Sequence, residues 1–226
     1  MKILMINGSP RINGSTAKIL GIIRNYLEEK EEVNIEYFNL SELEMAFCKG
    51  CCSCFKTGKC IINDDCEKLS KIMAKADGII IGSPTYASNI SGHLKVLVDR
   101  GHLIIEQLLY KKYTMGIITG ENYGASTASK ILKSIFSYSG AFVSGMIVEK
   151  IPFSNNPSFE DKDKKAYEKK AENFYRDIKA KRNYFFQKFI HSIIFNVGIK
   201  PFVLKKGPKY EGVLKGWKKN NIISSF

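Results

Sequence analysis

Residues 8–16, GSPRINGST, carry the side chains that point most clearly to a chemistry, which is phosphate binding. They follow a short apolar run at residues 2–6, typical of a buried strand, and precede an apolar-periodic segment at residues 17–27, typical of a helix. Backbone N–H groups at a helix start attract anions. Side chains that bind phosphate well stand at Ser9, Arg11, Asn13, Ser15 and Thr16. The stretch therefore predicts a site for a phosphate monoester, as in a mononucleotide cofactor.

The spacing of this loop excludes two familiar nucleotide sites. It lacks the Gly-Lys-Ser/Thr ending of a P-loop ATPase and the G-x-G-x-x-G of a dinucleotide fold. A second interpretation stays open, in which the hydroxyls only cap the helix and Asn13-Gly14 forms a turn. Arg11 beside three hydroxyls favours the phosphate, because a cap needs no guanidinium.

Five of the six cysteines lie in residues 48–60, CKGCCSCFKTGKC. Two-residue gaps let successive thiolates turn toward one centre, and a fourth nearby can complete a tetrahedral or cuboidal cage. The four with this spacing, C-x2-C-x2-C-x5-C, are Cys48, Cys51, Cys54 and Cys60. The pattern predicts a metal or cluster site on these four residues.

Three states of these cysteines stay open, namely a cluster, a structural zinc ion, and reduced or partly disulfide-bonded thiols without metal. Nearby Lys49, Lys56 and Lys59 are expected to favour the thiolate form by their charge. The histidines, His93, His102 and His191, are interpreted as surface or core residues, on the expectation that no carboxylate or second histidine stands at ligand spacing. No catalytic residue is assigned, and a structural role is expected for Asp99 and Arg100.

The elements that would position these groups alternate between strands and helices. Strands are predicted at residues 2–6, 33–38, 78–82, 113–119 and 141–149, and helices at 17–27, 64–73, 91–109 and 126–139. This alternation predicts an α/β fold, with a parallel sheet covered by helices on both faces.

Ligands of such sheets lie beyond the carboxyl ends of the strands, where the strand order reverses. Three loops meet that description, at residues 8–16, 83–89 and 120–124. The second loop offers a flat ring and polar groups, and the third offers glycines that admit backbone contact with a ring. The candidate residues of these two loops are Pro84, Thr85, Tyr86, Asn89, Thr119, Gly120, Asn122, Tyr123 and Gly124.

These three motifs in order, GSPRINGST, GSPTYASNISGHLKVLVDR at residues 82–100 and the glycine loop at 120–124, resemble the flavodoxin-like NAD(P)H-dependent FMN reductases. The resemblance covers about residues 1–150. It implies a flavodoxin-like, doubly wound five-stranded sheet in the order 2-1-3-4-5, with FMN in the crevice. Ser9, Arg11, Asn13, Ser15 and Thr16 would hold the phosphate. Pro84, Thr85, Tyr86 and Asn89 would face the ribityl chain and the ring, and Thr119, Gly120 and Gly124 would back the ring.

The cysteine motif resembles that of the iron-sulfur flavoproteins, a branch of the same fold that carries a [4Fe-4S] cluster beside FMN. The resemblance implies that Cys48, Cys51, Cys54 and Cys60 bind the cluster. Similar cysteine loops also occur in reductases of this type without a cluster, so the other two states of the thiols remain open.

The composition is that of an ordinary globular protein, with 44% hydrophobic and 25% charged residues. No stretch approaches the roughly 20 apolar residues of a membrane span, and no signal peptide precedes the first strand, so a cytoplasmic protein is expected. The net charge of +13 is concentrated in the C-terminal part, where residues 161–226 hold 17 Lys and Arg against 6 Asp and Glu. A solvated surface is favoured over nucleic acid, an acidic partner or anionic lipid for these charges.

Two domains are predicted, at residues 1–152 for FMN and at 153–226 for a basic, mainly helical extension. In the extension, Asn155-Asn156-Pro157 suggests a linker, residues 159–183 a charged helix, and residues 198–226 an irregular segment. A helix at residues 184–197 gathers on one face Phe185, Phe186, Phe189, Ile190, Ile193, Ile194 and Val197. Such a face needs a cover, and we expect the protein's own core or the second subunit of a homodimer or higher homo-oligomer, with membrane contact as the alternative.

The function predicted from these features is an oxidoreductase in which FMN takes electrons from NAD(P)H or a reduced carrier and passes them to a small-molecule or protein partner. The alternative is a redox- or metal-sensing protein without turnover, whose basic tail binds nucleic acid or membrane.

Overall fold

Strands and helices alternate through most of the chain in the computed structural model, which describes residues 1–152 and 157–223. Within these residues the strands are β1 (Lys2–Asn7), β2 (Asn34–Asn39), β3 (Gly78–Tyr86), β4 (Asn89–Ile90), β5 (Tyr113–Gly120) and β6 (Phe142–Lys150). The helices are α1 (Ser15–Glu28), α2 (Ser53–Thr57), α3 (Asp65–Lys75), α4 (Gly92–Arg100), α5 (Gly124–Tyr138), α6 (Asp161–Lys179), α7 (Phe185–Ile193), α8 (Lys200–Lys206) and α9 (Glu211–Lys219).

Five of the six strands form a parallel sheet in the order β2-β1-β3-β5-β6. The predicted parallel sheet is confirmed, but the predicted five strands in the order 2-1-3-4-5 are wrong, because β4 adds a sixth strand. It pairs antiparallel with the end of β3 through Thr85↔Ile90 and Tyr86↔Asn89. Ala87 and Ser88 both have positive φ angles, of 48° and 61°, and so form a tight reversal without the usual glycine or asparagine.

Helices cover both faces of the sheet, as alternating side chains of the strands require. Ile3 and Met5 of β1 pack toward α1 and α6, whereas Leu4 and Ile6 pack in the core formed with α3, α4 and α5. The helix α6 begins with Asp161 and Asp163 and ends with basic residues, which suits the helix dipole. The division into domains at residue 152 remains a prediction. The helix α6, which lies beyond that residue, packs directly on α1 and the sheet.

Two predicted elements of the chain are wrong in extent. The helix predicted to reach residue 109 ends at Arg100, because Gly101 follows it and His102 takes a left-handed conformation with φ of 60°. The segment predicted to be irregular after residue 198 contains α8 and α9. Of the predicted linker, Asn155 and Asn156 lie outside the described residues.

A π-helical stretch, Ile194–Ile199, connects α7 directly to α8. Proline lacks the N–H that continues an α-helical ladder, and π segments absorb such irregularities. Pro201 therefore fits in the first turn of α8, where its missing N–H costs little.

The C-terminal segment forms a third hydrophobic cluster around the fully buried Trp217. Phe195, Val203 and Val213 join this cluster, and Phe55 of α2 packs against it. The indole Nε1 of Trp217 donates a hydrogen bond to the carbonyl oxygen of Ile105 at 3.0 Å. The tail therefore covers the cysteine-containing segment.

Candidate functional site

The loop after β1 is shaped by its own side chains. Asn7 accepts a hydrogen bond from the Ser9 N–H at its Oδ1 (3.0 Å), and the Ser9 Oγ accepts one from the Arg11 N–H (3.1 Å). The Gly14 N–H then bonds to the carbonyl oxygen of Arg11 at 3.2 Å. These short-range bonds hold the predicted phosphate residues in one compact turn.

The first turn of α1 has the character of an anion site. Gly14 stands at the N-cap position, and none of the described side chains caps the helix there. The first intrahelical bond runs from the Lys18 N–H to the Gly14 carbonyl. Ser15 and Thr16 are buried in this turn. A helix start without a capping side chain leaves N–H groups for an anion. This geometry favours the phosphate interpretation over simple capping of the helix.

The three predicted loops meet at the carboxyl ends of β1, β3 and β5, which confirms their convergence. Thr16 of α1 and Thr119 of β5 share a buried hydrogen bond between their Oγ1 atoms at 2.7 Å. Pro84 lies opposite Thr119 in the β3–β5 register. The Gly8 N–H donates to the Gly82 carbonyl at 2.8 Å, and so joins the first loop to β3.

A cradle lined by Thr85 and two glycines lies between the second and third loops. The Thr85 Oγ1 is buried and has no hydrogen-bond partner among the described residues. A Cβ on Gly120 would stand 2.9 Å from this oxygen, and one on Gly124 would stand 3.0 Å from Ser88. The close approach favours glycine at both positions, and the unpartnered hydroxyl is available to a ligand. This donor set fits the polar edge and flat ring of FMN.

The remaining predicted residues lie at the outer rim of this crevice or on its loops. Tyr86, Asn89 and Asn13 are exposed, and the Oδ1 of Asn89 accepts a hydrogen bond from the Ile90 N–H. Tyr123 is 88% exposed beside Lys150. Within the described part of the chain, no hydrogen bond joins these side chains to the residues predicted to bind phosphate.

Three buried polar residues that support the crevice were missed by the sequence analysis as site residues. Asn7 holds the start of the first loop to β2 through its bond with Asn39. Ser91 donates to the Gly8 carbonyl and caps α4 by accepting from the Leu94 N–H. Ser83 accepts from the Ser91 N–H at 2.9 Å. The position of Ser91 before an apolar helix is typical of an N-cap, but no sequence pattern predicts its contact with Gly8.

The cysteine segment lines a cavity of about 280 Å³. Five cysteines line it, together with apolar side chains from the end of α4 and the loop after it. These five are Cys48, Cys51, Cys52, Cys54 and Cys60, and all six cysteines of the chain are free thiols. The four predicted ligands therefore share one cavity, and this all-thiol donor set fits an iron-sulfur cluster.

The sulfur positions do not form a zinc site of four cysteines. Tetrahedral zinc with Zn–S bonds of about 2.3 Å needs sulfur atoms about 3.8 Å apart. Among the described residues, only Cys54, His102 and Glu106 bring three ligand atoms within 4.8 Å of one another. The expected effect of the lysines is wrong for Cys54, because burial and the nearby Glu106 raise the pKa of its thiol to about 12.

An ion pair anchors this cavity to α3 and α4, as the structural role expected for Arg100 requires. The Arg100 guanidinium is buried and binds both carboxylate oxygens of Asp64. It also donates to the Cys60 Sγ at 3.5 Å and to the carbonyl oxygens of Ala46 and Ile62. The segment before and after the cysteines is thus tied to one charged group.

The expectation that no carboxylate stands at ligand spacing to a histidine is wrong for His102. Its Nδ1 lies 3.0 Å from the Glu106 Oε1, four residues along, and its Nε2 lies 3.5 Å from the Glu67 Oε2. Burial alone would lower the pKa of His102, but Glu106 and Glu67 raise it above the ordinary value. The i, i+4 spacing was visible in the sequence, whereas the contact with Glu67 was not.

The helix α4 connects the crevice loops to the cysteine cavity. Its N-cap Ser91 contacts Gly8 of the first loop, and its last residue Arg100 contacts Cys60. Nine residues of α-helix span about 14 Å, at roughly 1.5 Å per residue. The crevice and the cysteine cavity are therefore held at opposite ends of one rigid element.

Comparison with known proteins places this geometry among flavoproteins. Residues 1–151 match the family described as NADPH-dependent FMN reductase. An iron-sulfur flavoprotein of Clostridioides difficile is 39% identical over 226 residues, which cover 99% of this chain and 100% of the relative. An iron-sulfur flavoprotein of Methanocaldococcus jannaschii is 42% identical over 100 residues, which cover 44% of this chain and 51% of the relative.

Solved structures agree on the fold. Flavodoxin 1 from Bacillus cereus superposes with a TM-score of 0.55 at 18% identity, covering 78% of this chain and 98% of the flavodoxin. This similarity supports the flavodoxin-like arrangement of sheet and helices. None of the helices in the described ranges has the length and apolar character that a transmembrane helix needs.

Proposed function

The chain belongs to the NADPH-dependent FMN reductase family and is a flavin-dependent oxidoreductase, and from this premise we propose an electron-transfer flavoprotein that holds FMN and a [4Fe-4S] cluster. The observation that carries the proposal is the placement of two different donor sets at the two ends of α4. One is an uncapped helix start beside a glycine-lined crevice, and the other is a cavity lined by thiols.

The phosphate end of FMN would bind at the start of α1. Ser9, Ser15 and Thr16 supply hydroxyls, Arg11 supplies a guanidinium and Asn13 an amide, while the first-turn N–H groups face the anion. Ser9 uses its Oγ as an acceptor for the Arg11 N–H, so its hydroxyl proton remains available to a phosphate oxygen.

The ring of FMN would lie against the second and third loops. Thr85 offers its unpartnered Oγ1 to the polar edge of the ring, while Pro84, Tyr86 and Asn89 border the ribityl chain and ring. Thr119, Gly120 and Gly124 would back the ring, because glycine leaves this loop free of the Cβ atoms that would otherwise stand 2.9 Å from Thr85 or 3.0 Å from Ser88. When bound, FMN supplies hydride acceptance and one-electron release, and these residues orient it.

The cluster would be held by Cys48, Cys51, Cys54 and Cys60, which line one cavity. Arg100 beside Cys60 supplies a hydrogen-bond donor to sulfur, a contact that tunes the potential of such centres. If the chain holds a cluster, a reduced ferredoxin-type protein is favoured over NAD(P)H as the electron donor. A ferredoxin delivers single electrons, and an iron-sulfur cluster accepts electrons one at a time.

We also place the protein in the cytoplasm as a homo-oligomer. Six free thiols suit a reducing compartment. The apolar face of α7 is not covered by the described part of the chain, since Phe185 and Phe186 are 76% and 70% exposed. A second copy of the chain is the proposed cover for that face.

Anaerobic purification followed by flavin, iron and acid-labile sulfide analysis tests the proposal. We expect one FMN per chain, and iron and sulfide in the ratio of a [4Fe-4S] cluster, with broad absorption that dithionite bleaches. Replacing Cys51 by Ser should remove iron and sulfide, while replacing the exposed Cys52 by Ser should leave both in place.

Activity measurements then separate the proposed donors. Steady NAD(P)H oxidation would support a nicotinamide reductase, whereas reduction by a ferredoxin-type carrier alone would support the cluster-bearing electron carrier. A colourless protein that binds neither added FMN nor iron would contradict the proposal. It would favour the alternative of a sensing protein without turnover.

A further inference from the structure

A second set of metal ligands lies inside the cysteine cavity. One ligand atom each from Cys54, His102 and Glu106 lies within 4.8 Å of the others, and all three side chains are half-buried. Thiolate, imidazole and carboxylate are the donors that Zn²⁺ and similar divalent transition ions take in proteins. Three protein ligands of these types are enough for a site that keeps its fourth position for water.

A fourth side chain supports the histidine from behind. The Glu67 Oε2 is buried without a hydrogen-bond partner among the described residues, and it lies 3.5 Å from the His102 Nε2. The other ring nitrogen, Nδ1, faces Glu106 at 3.0 Å. Metal-binding histidines usually donate their second N–H to a carboxylate, which fixes the tautomer that binds the ion. Glu67 stands where such a partner belongs.

The charge of the surroundings also favours a cation. Two carboxylates, Glu67 and Glu106, flank His102. Nearby, Arg100 is neutralised by its pair with Asp64, and the exposed Lys71 Nζ lies 3.7 Å from the other Glu67 oxygen, Oε1. His102 itself is held in a left-handed conformation, with φ of 60°, two residues after the end of α4. A non-glycine residue in that conformation directs its side chain where a helical residue could not.

We propose that Cys54, His102 and Glu106 form a binding site for a single divalent transition-metal ion of the Zn²⁺ class, with Glu67 as the partner that positions His102. As the metal–sulfur bond forms, the Cys54 thiol releases its proton to solvent, so charge and atoms balance. Oxygen-seeking ions such as Mg²⁺ and Ca²⁺ are not expected to bind, because the set contains one sulfur and one nitrogen.

The site and the cluster share Cys54. The divalent ion is therefore expected in the cluster-free chain, and cluster and ion should exclude each other. This exclusion rests on the proposed function, whereas binding of the ion to the cluster-free chain does not.

Cobalt titration of the full-length, cluster-free protein under anaerobic conditions tests the site, because Co²⁺ replaces Zn²⁺ and reports its ligands by absorption. We expect one Co²⁺ per chain, the bands of four-coordinate cobalt, and charge-transfer absorption of a single cobalt–thiolate bond. Zn²⁺ should displace the cobalt. The variants Glu106→Gln and His102→Asn should bind Co²⁺ at least about tenfold more weakly, and Glu67→Gln about 10- to 100-fold.

Matched controls distinguish this site from the four-cysteine site. His93→Asn changes an exposed histidine on α4, and Cys48→Ser and Cys51→Ser remove proposed cluster ligands. All three should bind Co²⁺ like the parent, while the two cysteine variants fail to assemble iron and sulfide. Asparagine is chosen at position 102 because it tolerates the left-handed conformation. Circular dichroism verifies that each variant is folded. If His102→Asn is unfolded, cobalt binding by Glu67→Gln and Glu106→Gln tests the site instead.

Two results would overturn the proposal. The first is a parent protein that does not bind cobalt, or a Glu106→Gln variant that binds cobalt as strongly as the parent does. The second is a spectrum of several thiolate ligands that disappears in Cys48→Ser. Failure of the parent to assemble a cluster would instead contradict the proposed function and leave the cobalt result standing.

Discussion

Gly212 of α9 lies directly against Gly58 at the end of α2, so closely that a Cβ on Gly212 would stand 2.2 Å from the Gly58 amide nitrogen. The contact presses the C-terminal helix onto the short helix that carries Cys54. Phe55 and Tyr210 reinforce it, with stacked rings whose centroids are 4.6 Å apart. The tail is thus a structural cover for the cysteine cavity.

Replacing Gly212 by Ala should separate α9 from α2. The added methyl group meets backbone atoms that cannot move aside, so we expect a loss of about 1–3 kcal/mol in the free energy of unfolding. Looser closure of the cavity should also speed the loss of iron from the reconstituted protein. Chemical denaturation and the rate of iron release to a chelator measure the two effects.

Gly216 on the same helix is the matched control, because a Cβ there meets nothing within 4 Å. Gly216→Ala should stabilise the protein by about 0.4–1 kcal/mol, since alanine restricts the unfolded chain and favours helix. Equal stability and iron release in the two variants would show that α9 does not hold the cysteine segment.

The pair of Asp64 and Arg100 predicts a stability component that depends on pH. Burial alone would raise the pKa of Asp64, but hydrogen bonds from Arg100 and the Ala46 N–H hold it below the ordinary value. A carboxyl with a depressed folded-state pKa contributes its stability above the unfolded value, which is about 3.9. That contribution should be complete at neutral pH and be lost as the pH falls below about 4.

Asp64→Asn should remove this component. We expect a loss of about 3–5 kcal/mol at pH 7, because the buried Arg100 is left without its counter-charge. The difference between parent and variant should then shrink as the pH is lowered toward the folded-state pKa. Urea denaturation of both proteins across this range measures it. A difference that stays constant with pH would contradict the assigned role of the ion pair.

The parts of the site that the sequence predicted are those whose chemistry is contiguous in the chain. Residues 8–16 form one loop between one strand and one helix, and the four cysteines lie within residues 48–60. The alternation of strands and helices was enough to bring the three crevice loops to one edge of the sheet. Local spacing therefore carried most of the fold and the site.

The rest depends on contacts between distant segments. Glu67 and His102 meet because α3 packs beside α4, and no local sequence pattern predicts this contact. The preference for glycine at position 212 is explained only by its close contact with Gly58. Ala87 and Ser88 form the turn between β3 and the small strand β4. These residue types rarely form such a turn, so the sequence of this segment did not predict β4.

The exposed face of α7 predicts self-association. Gln187 on the same helix binds both backbone groups of Val143, so α7 is fixed to the edge of the sheet while its phenylalanines point away from the described core. The double variant Phe186→Ser, Phe189→Ser should raise the dissociation constant of the oligomer by roughly two orders of magnitude or more, from the lost apolar burial.

Analytical ultracentrifugation over a range of protein concentrations measures this change. Lys205→Ser, which removes an exposed charge of the tail, serves as the control and should leave the association unchanged. A parent protein that sediments as a monomer at high concentration would refute the expectation. Binding of anionic vesicles by that monomer would then favour the membrane alternative for this face.

The start of α1 predicts how FMN is retained. If the phosphate lies there, the double variant Arg11→Ala, Ser15→Ala removes two hydrogen bonds to a charged group, each worth about 1.5–3 kcal/mol. The dissociation constant of FMN should rise by roughly 100-fold or more. Quenching of FMN fluorescence on titration of the flavin-free protein measures it. Arg24→Ala is the control, because Arg24 lies on the same helix in an exposed pair with Glu28. If the double variant retained FMN as tightly as Arg24→Ala, the phosphate would have to bind elsewhere, and Ser15 would be no more than a residue of the first helical turn.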